Sequence, residues 1–110
     1  MVLAPGDVVV VPFPYTDVLA EKRRPAVVVS SRQLEKDHGL VWLAMVTSTS
    51  RPWRGDVPVT NLHAAGLPTN CSVRSAKLAT VSVLRIARKI GSLRPGDWQA
   101  VRAELKRYSA

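Results

Sequence analysis

Cysteine is almost missing from this chain: Cys71 is the only one in 110 residues. A single thiol excludes an internal disulfide framework and fits a reducing compartment. Long apolar runs are missing too. Stretches such as residues 40–46 fall far below the roughly 20 residues that a membrane helix needs. The N-terminus has no basic region and is interrupted by Pro5, Gly6 and Asp7, so no signal peptide is expected. These absences predict a small soluble cytoplasmic protein, and the length predicts one domain over residues 1–110, since two useful cores would not fit.

Signals for metal or cofactor chemistry are equally sparse. The two histidines, His38 and His63, stand far apart without ligand spacing, and no cysteine pair accompanies them. There is no glycine-rich phosphate loop and no Gly-x-Ser-x-Gly elbow. No metal and no cofactor is therefore expected. Cys71 reads as a small packed residue and His63 as a loop residue.

What is abundant is positive charge: 16 Lys and Arg stand against 8 Asp and Glu, a formal charge of +8. No acid occurs between Asp56 and Asp97, a span that holds Arg74, Lys77, Arg85, Arg88, Lys89 and Arg94. Lys22-Arg23-Arg24 forms a second cluster, and Arg51 and Arg54 flank Trp53 in a third. Any one of these side chains alone would be an ordinary solvated charge. Three clusters in one small fold predict a basic face suited to phosphate, with nucleic acid or an acidic protein as its partner.

Hydrophobic patterning divides the chain into short strands. Residues 7–13 are a Val-rich strand, with Pro12 and Pro14 marking its end or a sheet edge. Residues 15–24 read as a polar loop long enough to suggest function. Strands are expected at 25–31 and 40–46, the latter with Trp42 in the core, and one helical turn between them at 32–39. A second polar loop spans 47–55, a short edge strand 57–60 and a connection 61–70. Residues 71–83 predict one or two strands, while 86–93 is amphipathic and undecided.

The clearest helix spans Pro95–Tyr108. Pro95 suits the first turn, Asp97 sits at the positive end of the dipole, and Lys106 and Arg107 sit at the negative end. Trp98, Val101, Leu105 and Tyr108 share one face and read as core cover. The set predicts a mainly β protein, a small antiparallel barrel or sandwich with a C-terminal α-helix against it.

Phosphate chemistry would then fall to arginine, hydroxyls and backbone amides. Arg24 ends the first loop just before Pro25, which limits its backbone to extended values. Thr47 stands where a buried strand opens into the second loop. If those strand ends meet, a guanidinium and a hydroxyl can bind one phosphoryl group and stabilise charge developing on it.

Pro5-Gly6-Asp7-Val8-Val9-Val10-Val11-Pro12-Phe13-Pro14, followed by Lys22-Arg23-Arg24-Pro25-Ala26-Val27-Val28-Val29-Ser30, closely resembles the opening of the MazF/PemK/Kid family of toxin endoribonucleases. Ala44-Met45-Val46-Thr47-Ser48 is similar to the family's next signature. Ser72-Val73-Arg74 through Leu78-Ala79-Thr80, then Ile90-Gly91-Ser92-Leu93, are similar to its later segments. The resemblance implies an SH3-like barrel of the CcdB/PemK type with a C-terminal helix, usually a homodimer. It also implies metal-independent cleavage of single-stranded RNA, such as mRNA, at short sequences. In that reaction the 2′-hydroxyl attacks the adjacent phosphate, leaving a 2′,3′-cyclic phosphate and a 5′-hydroxyl. A cognate antitoxin with an acidic tail would cover the RNA groove.

Carried over by position, the resemblance makes Arg24 the catalytic arginine and Thr47 the catalytic hydroxyl. Arg74 matches a second arginine that the Kid branch uses at its active site. Two departures stand out. Ala76 occupies the place of that branch's general-base aspartate, and Val18-Leu19-Ala20-Glu21 replaces the Gly-Ser-Glu-Gln stretch common in the MazF branch. Arginine holds its proton too tightly to be an easy base, so the base is unassigned, with Glu21 its candidate. A catalytically silent module that binds RNA or antitoxin is the alternative. A gyrase poison on the same barrel would carry a C-terminal Trp-Gly-Ile, whereas this chain ends Lys106-Arg107-Tyr108-Ser109-Ala110.

Single-stranded RNA is read by splaying bases onto aromatic or guanidinium planes. Trp53 between Arg51 and Arg54 has the composition for this, and Tyr15 is a weaker case; a tryptophan folded back onto the barrel is the other reading of Trp53. Glu21, Ser48, Arg74 and Lys77 complete the residues expected to contact RNA.

Overall fold

The computed structural model describes residues 2–13 and 22–110; Tyr15 and Glu21 lie outside the described residues. Among the described residues there are six strands: β1 (Asp7–Phe13), β2 (Lys22–Val28), β3 (Leu40–Thr47), β4 (Asp56–Pro58), β5 (Ser72–Ser82) and β6 (Arg88–Ser92). Helix α1 (Arg32–His38) precedes β3, α2 (Leu62–Ala65) precedes β5, and α3 (Pro95–Tyr108) follows β6. The strands pair antiparallel in one sheet, in the order β4-β5-β3-β2-β1-β6. The fold is a mainly β half-barrel with a C-terminal helix; the mainly β class, the antiparallel pairing and the helix are those that the sequence predicts.

Both faces of the sheet carry buried residues, which explains why β1 and the second half of β2 read as continuous rather than alternating apolar runs. Val8, Val27, Ala44, Val46 and Val73 pack with Val101 of α3, and Trp98 and Leu105 seal that side. Val9, Val11, Ala26, Val28, Leu43 and Met45 form the opposite core with Leu3 and Ile86. Neighbours along each strand therefore feed different cores, as the two-residue period requires. Among the described residues no helix is long and apolar enough to cross a membrane.

Two buried acids fasten the sheet at its ends. The Asp7 carboxylate accepts from the Ala4 N–H at 2.8 Å and the Ser92 hydroxyl at 3.1 Å, and pairs with Lys89 at 3.2 Å. Beside it, the Gly6 N–H donates to the Val28 carbonyl and the Gly6 carbonyl accepts from Leu93. The Gly-Asp opening is thus the junction of β1, β2 and β6. Asp97 does more than complement a helix dipole: it is buried and accepts from both the N–H (2.9 Å) and the hydroxyl of Thr60.

Several expectations need correction. β2 begins at Lys22, not residue 25, because its ladder with β1 runs on through Val11↔Arg24 to Phe13↔Lys22; main-chain pairing needs no apolar side chains. Trp42 is not in the core. It is 49% exposed, because α3 leaves a groove of about 750 Å³ beside it, which Leu78 and Trp98 also line. The connection at 61–70 holds α2, whose Asn61 side chain caps the Ala64 N–H. It packs so closely on β6 that a β-carbon at Gly91 would strike the Ala65 backbone. Residues 72–82 form one strand, but its register slips: Met45 faces Arg74 while Ala44 faces Leu78, so Ser75, Ala76 and Lys77 bulge out of the ladder with β3.

Truncating Leu43, which is wholly buried, is expected to cost about 2–5 kcal/mol in urea denaturation of Leu43→Ala. Leu84→Ala, at a side chain 92% exposed, should shift stability by no more than about 0.5 kcal/mol.

Candidate active site

The site follows from strand register. Ala26 of β2 faces Met45 of β3. Two residues further along each antiparallel strand stand Arg24 and Thr47, which the pleat returns to the same face. Met45 in turn faces Arg74 of β5, and Arg74 faces Asp56 of β4. Four strands thus deliver one row of side chains. Arg24, Thr47, Arg74 and Lys77 line one cavity of about 250 Å³, floored by Met45 and Val46. A wider cleft of about 420 Å³ opens beside it, sharing Arg24 and Thr47 and adding Ser48, Thr49, Leu67 and Pro68. The bulge in β5 places Lys77 on the cavity wall, where a regular ladder would have kept residues 75–77 paired.

The Thr47 hydroxyl is tied into the start of the second loop. Its Oγ1 accepts from the Thr49 N–H at 3.2 Å, and a hydroxyl engaged as acceptor still has its proton to give. Thr49 repeats the turn, with its Oγ1 accepting from the Arg51 N–H.

Arg74 is 8% exposed and heavily engaged. Its Nε and Nη2 donate to the two oxygens of Asp56 at 3.2 and 3.0 Å, and Nη2 also donates to the Arg51 carbonyl at 2.9 Å. The guanidinium lies 4.1 Å from the centre of the Trp53 ring. Asp56 also accepts from the Trp53 N–H at 2.9 Å. Burial by itself would raise the Asp56 pKa, but the Arg74 hydrogen bonds, the Trp53 N–H and the Arg74 charge outweigh it and hold the carboxyl below its ordinary value of 3.8.

Trp53 neither folds into the core nor swings free: it leans on Arg74 and stays 47% exposed. Arg51 and Arg54 flank it as exposed side chains. The Arg54 carbonyl is fastened from outside the loop, accepting from the Tyr108 hydroxyl at 3.0 Å. Gly55, at φ +95°, lies so near that ring that a β-carbon there would stand 2.8 Å from it. Tyr108 is therefore a loop anchor and not core cover. Ala76 is exposed and offers only a methyl group. Burial pushes the Cys71 thiol up, which keeps it a poor nucleophile on the wall of the wider cleft.

Sequence reasoning missed Asp56 and Tyr108 as parts of this site. Asp56 was legible only as the last acid before a long basic span. Tyr108 had no local signal, since its role depends on where the end of α3 lands.

The family described as PemK-like, MazF-like toxin of type II toxin-antitoxin system matches residues 4–108. The fold resembles the MazF of Deinococcus radiodurans, with a TM-score of 0.78 at 21% identity over 97% of this chain and 96% of that one. The Mycobacterium tuberculosis toxin MazF-mt6 gives a TM-score of 0.74 at 21% identity over 92% and 93%. An endoribonuclease in complex with its cognate antitoxin, from a Mycobacterial species, gives 0.78 at 16% identity over 96% and 93%. At these identities the likeness is one of fold. No curated protein matches the chain by sequence.

The Asp56–Arg74 pair makes stability acid-sensitive in a defined direction. Asp56 sits below 3.8 when folded and near its ordinary value when unfolded. Its stabilisation is therefore complete above that value and fades as pH falls through the folded one. Asp56→Asn is expected to cost about 1–3 kcal/mol at pH 7. The gap between it and the wild type should narrow below about pH 4, read by denaturation at stepped pH.

Proposed function

Since the chain belongs to the PemK-like, MazF-like toxin family of type II toxin-antitoxin systems, we propose that it is an endoribonuclease toxin that cuts single-stranded RNA in the cleft between β2 and β3. The observation that carries this reading is the register that sets Arg24 and Thr47 side by side on one face, with Lys77 on the same wall.

In this reading a phosphodiester sits between Arg24 and Thr47. The 2′-oxygen attacks the neighbouring phosphorus, the bond from phosphorus to the 5′-oxygen breaks, and the products are a 2′,3′-cyclic phosphate and a 5′-hydroxyl. Negative charge grows on the non-bridging oxygens as the phosphorane forms. The Arg24 guanidinium and the Thr47 O–H donate to those oxygens and hold that charge in place. The attacking hydroxyl must lose a proton and the leaving oxygen must gain one. Glu21 is the candidate base, and Ala76 has no group that could serve.

The same basic cleft suits an acidic antitoxin segment, so RNA and antitoxin would compete for it in the cytoplasm. The cognate-antitoxin complex of the Mycobacterial endoribonuclease supports this pairing by analogy of fold. Trp42 and Leu78, half-exposed on one face beside α3, form the apolar patch on which a second copy would dock to give a homodimer. A silent binding module remains the competing reading, favoured by Ala76.

Purified protein with long RNA in excess EDTA is expected to give discrete cuts bearing 5′-hydroxyl ends. Arg24→Ala and Thr47→Ala should each lower kcat about 10²–10³-fold. Smooth degradation indifferent to Arg24→Ala would reject the assignment, and salt-sensitive binding without cutting would establish the silent module. Leu78→Glu is expected to convert a dimer to a monomer in sedimentation; an unchanged mass would move the interface elsewhere.

A further inference from the structure

Arg74 lines the cavity with Arg24 and Thr47, yet its bonding belongs to a different device. Three of the five guanidinium donors are committed, two to Asp56 and one to the Arg51 carbonyl. Its charge is already countered by a carboxylate 3.0 Å away whose own side chain is 9% exposed. A phosphate entering the cavity would meet a neutralised pair. One flat face of the guanidinium is covered by the Trp53 ring at 4.1 Å.

Every one of these contacts acts on the loop between β3 and β4. Asp56 accepts the Trp53 N–H, and the Asp56 N–H donates back to the Trp53 carbonyl at 3.1 Å. Arg74 holds the loop at Arg51 on one side of Trp53, while Tyr108 holds it at Arg54 on the other. A loop tryptophan would ordinarily sample many orientations; this one is fastened through its backbone, its ring and both flanks. Its remaining exposure, 47%, leaves the indole open to solvent, one contact away from the cavity that Arg74 lines with Arg24 and Thr47.

From this geometry we infer that Arg74 is a positioning residue which, clamped by Asp56, fixes Trp53 as a rigid platform for one unstacked RNA base. The inference rests on the RNA-cutting assignment above and adds to it how the substrate is selected. A base stacked on Trp53 lies at a set offset from the phosphate held by Arg24 and Thr47. The clamp therefore governs which nucleotide, relative to the platform, is cut. Stacking tolerates any base with a π-face, so the platform sets spacing and binding, and the exposed Arg51 and Arg54 beside it supply donors that discriminate base edges.

The test compares Trp53→Ala, Trp53→Phe, Asp56→Asn and Arg74→Lys on two substrates. One is a long mixed-sequence RNA. The other is its 2′-O-methyl counterpart, which lacks the attacking hydroxyl and reports binding alone. Trp53→Ala should raise KM about tenfold or more, with kcat changed less than about threefold, and Trp53→Phe should recover most of that loss. Asp56→Asn and Arg74→Lys should reproduce the Trp53→Ala pattern, and all three should redistribute cutting among the same sites. Titrating the 2′-O-methyl RNA should quench indole emission in the wild type and not in Trp53→Phe.

A loss in kcat for Arg74→Lys matching that of Arg24→Ala, with KM unchanged, would overturn the inference and make Arg74 a phosphate ligand. So would faster cutting by Asp56→Asn, the mark of a released guanidinium. Absence of cutting by wild type would reject the nuclease assignment alone. The quench then decides the platform separately, and its equal size in wild type and Trp53→Phe would sink it.

Discussion

Everything at this site depends on the antiparallel register of β2, β3, β5 and β4. A slip of one residue between β2 and β3 would send Arg24 or Thr47 to the opposite face, because the side-chain period of a strand is two. The register is defended by apolar residues on both faces: Val27 and Ala44 pack into one core, Ala26 and Met45 into the other. Neither core could absorb a charged or polar side chain in their place without a large desolvation cost. The positions of the two polar groups are therefore consequences of where the valines go.

The basic character of the chain divides into separate roles once the contacts are known. Lys89 is held by Asp7 at a sheet junction and Arg74 by Asp56 at the foot of a loop; both act as structural cations. Lys22, Arg23, Arg51, Arg54 and Arg88 extend as exposed side chains, and they supply the long-range field that draws a polyanion. Net charge alone does not distinguish these roles, since a paired and an unpaired guanidinium count the same.

Much of the fold was legible in the sequence. Dense β-branched runs marked the strands, and Pro95, Asp97 and the spacing of Val101 and Leu105 marked α3 at its observed bounds. Arg24 and Thr47 were legible by position in motifs, and their convergence in one cavity is what register adds. The failures share a cause: each residue's environment is set by a distant element. Trp42 reads as core because its neighbours Val41 and Leu43 are core, yet the reach of α3 decides its exposure. Short α2 is stabilised by packing on β6 and by its Asn61 cap, with too few residues for a helical period to show. Arg74 carries no local sign that Asp56, a strand away, occupies it.

The hydrogen bond from Ser92 to Asp7 spans 85 residues of chain, and β1 finds its second neighbour only when β6 is present. β1 to β3 form a run of sequential neighbours that can pair early, whereas β6 closes the far edge of the sheet across almost the whole chain. Such non-local pairing is slow, with barrels of this kind folding in roughly milliseconds to seconds. The two residues of the cleft are thus brought together in an early meander, while the Tyr108 anchor of the neighbouring loop arrives only with the final helix. The fastening of the Trp53 loop at Arg54 therefore comes later than the pairing that aligns Arg24 with Thr47.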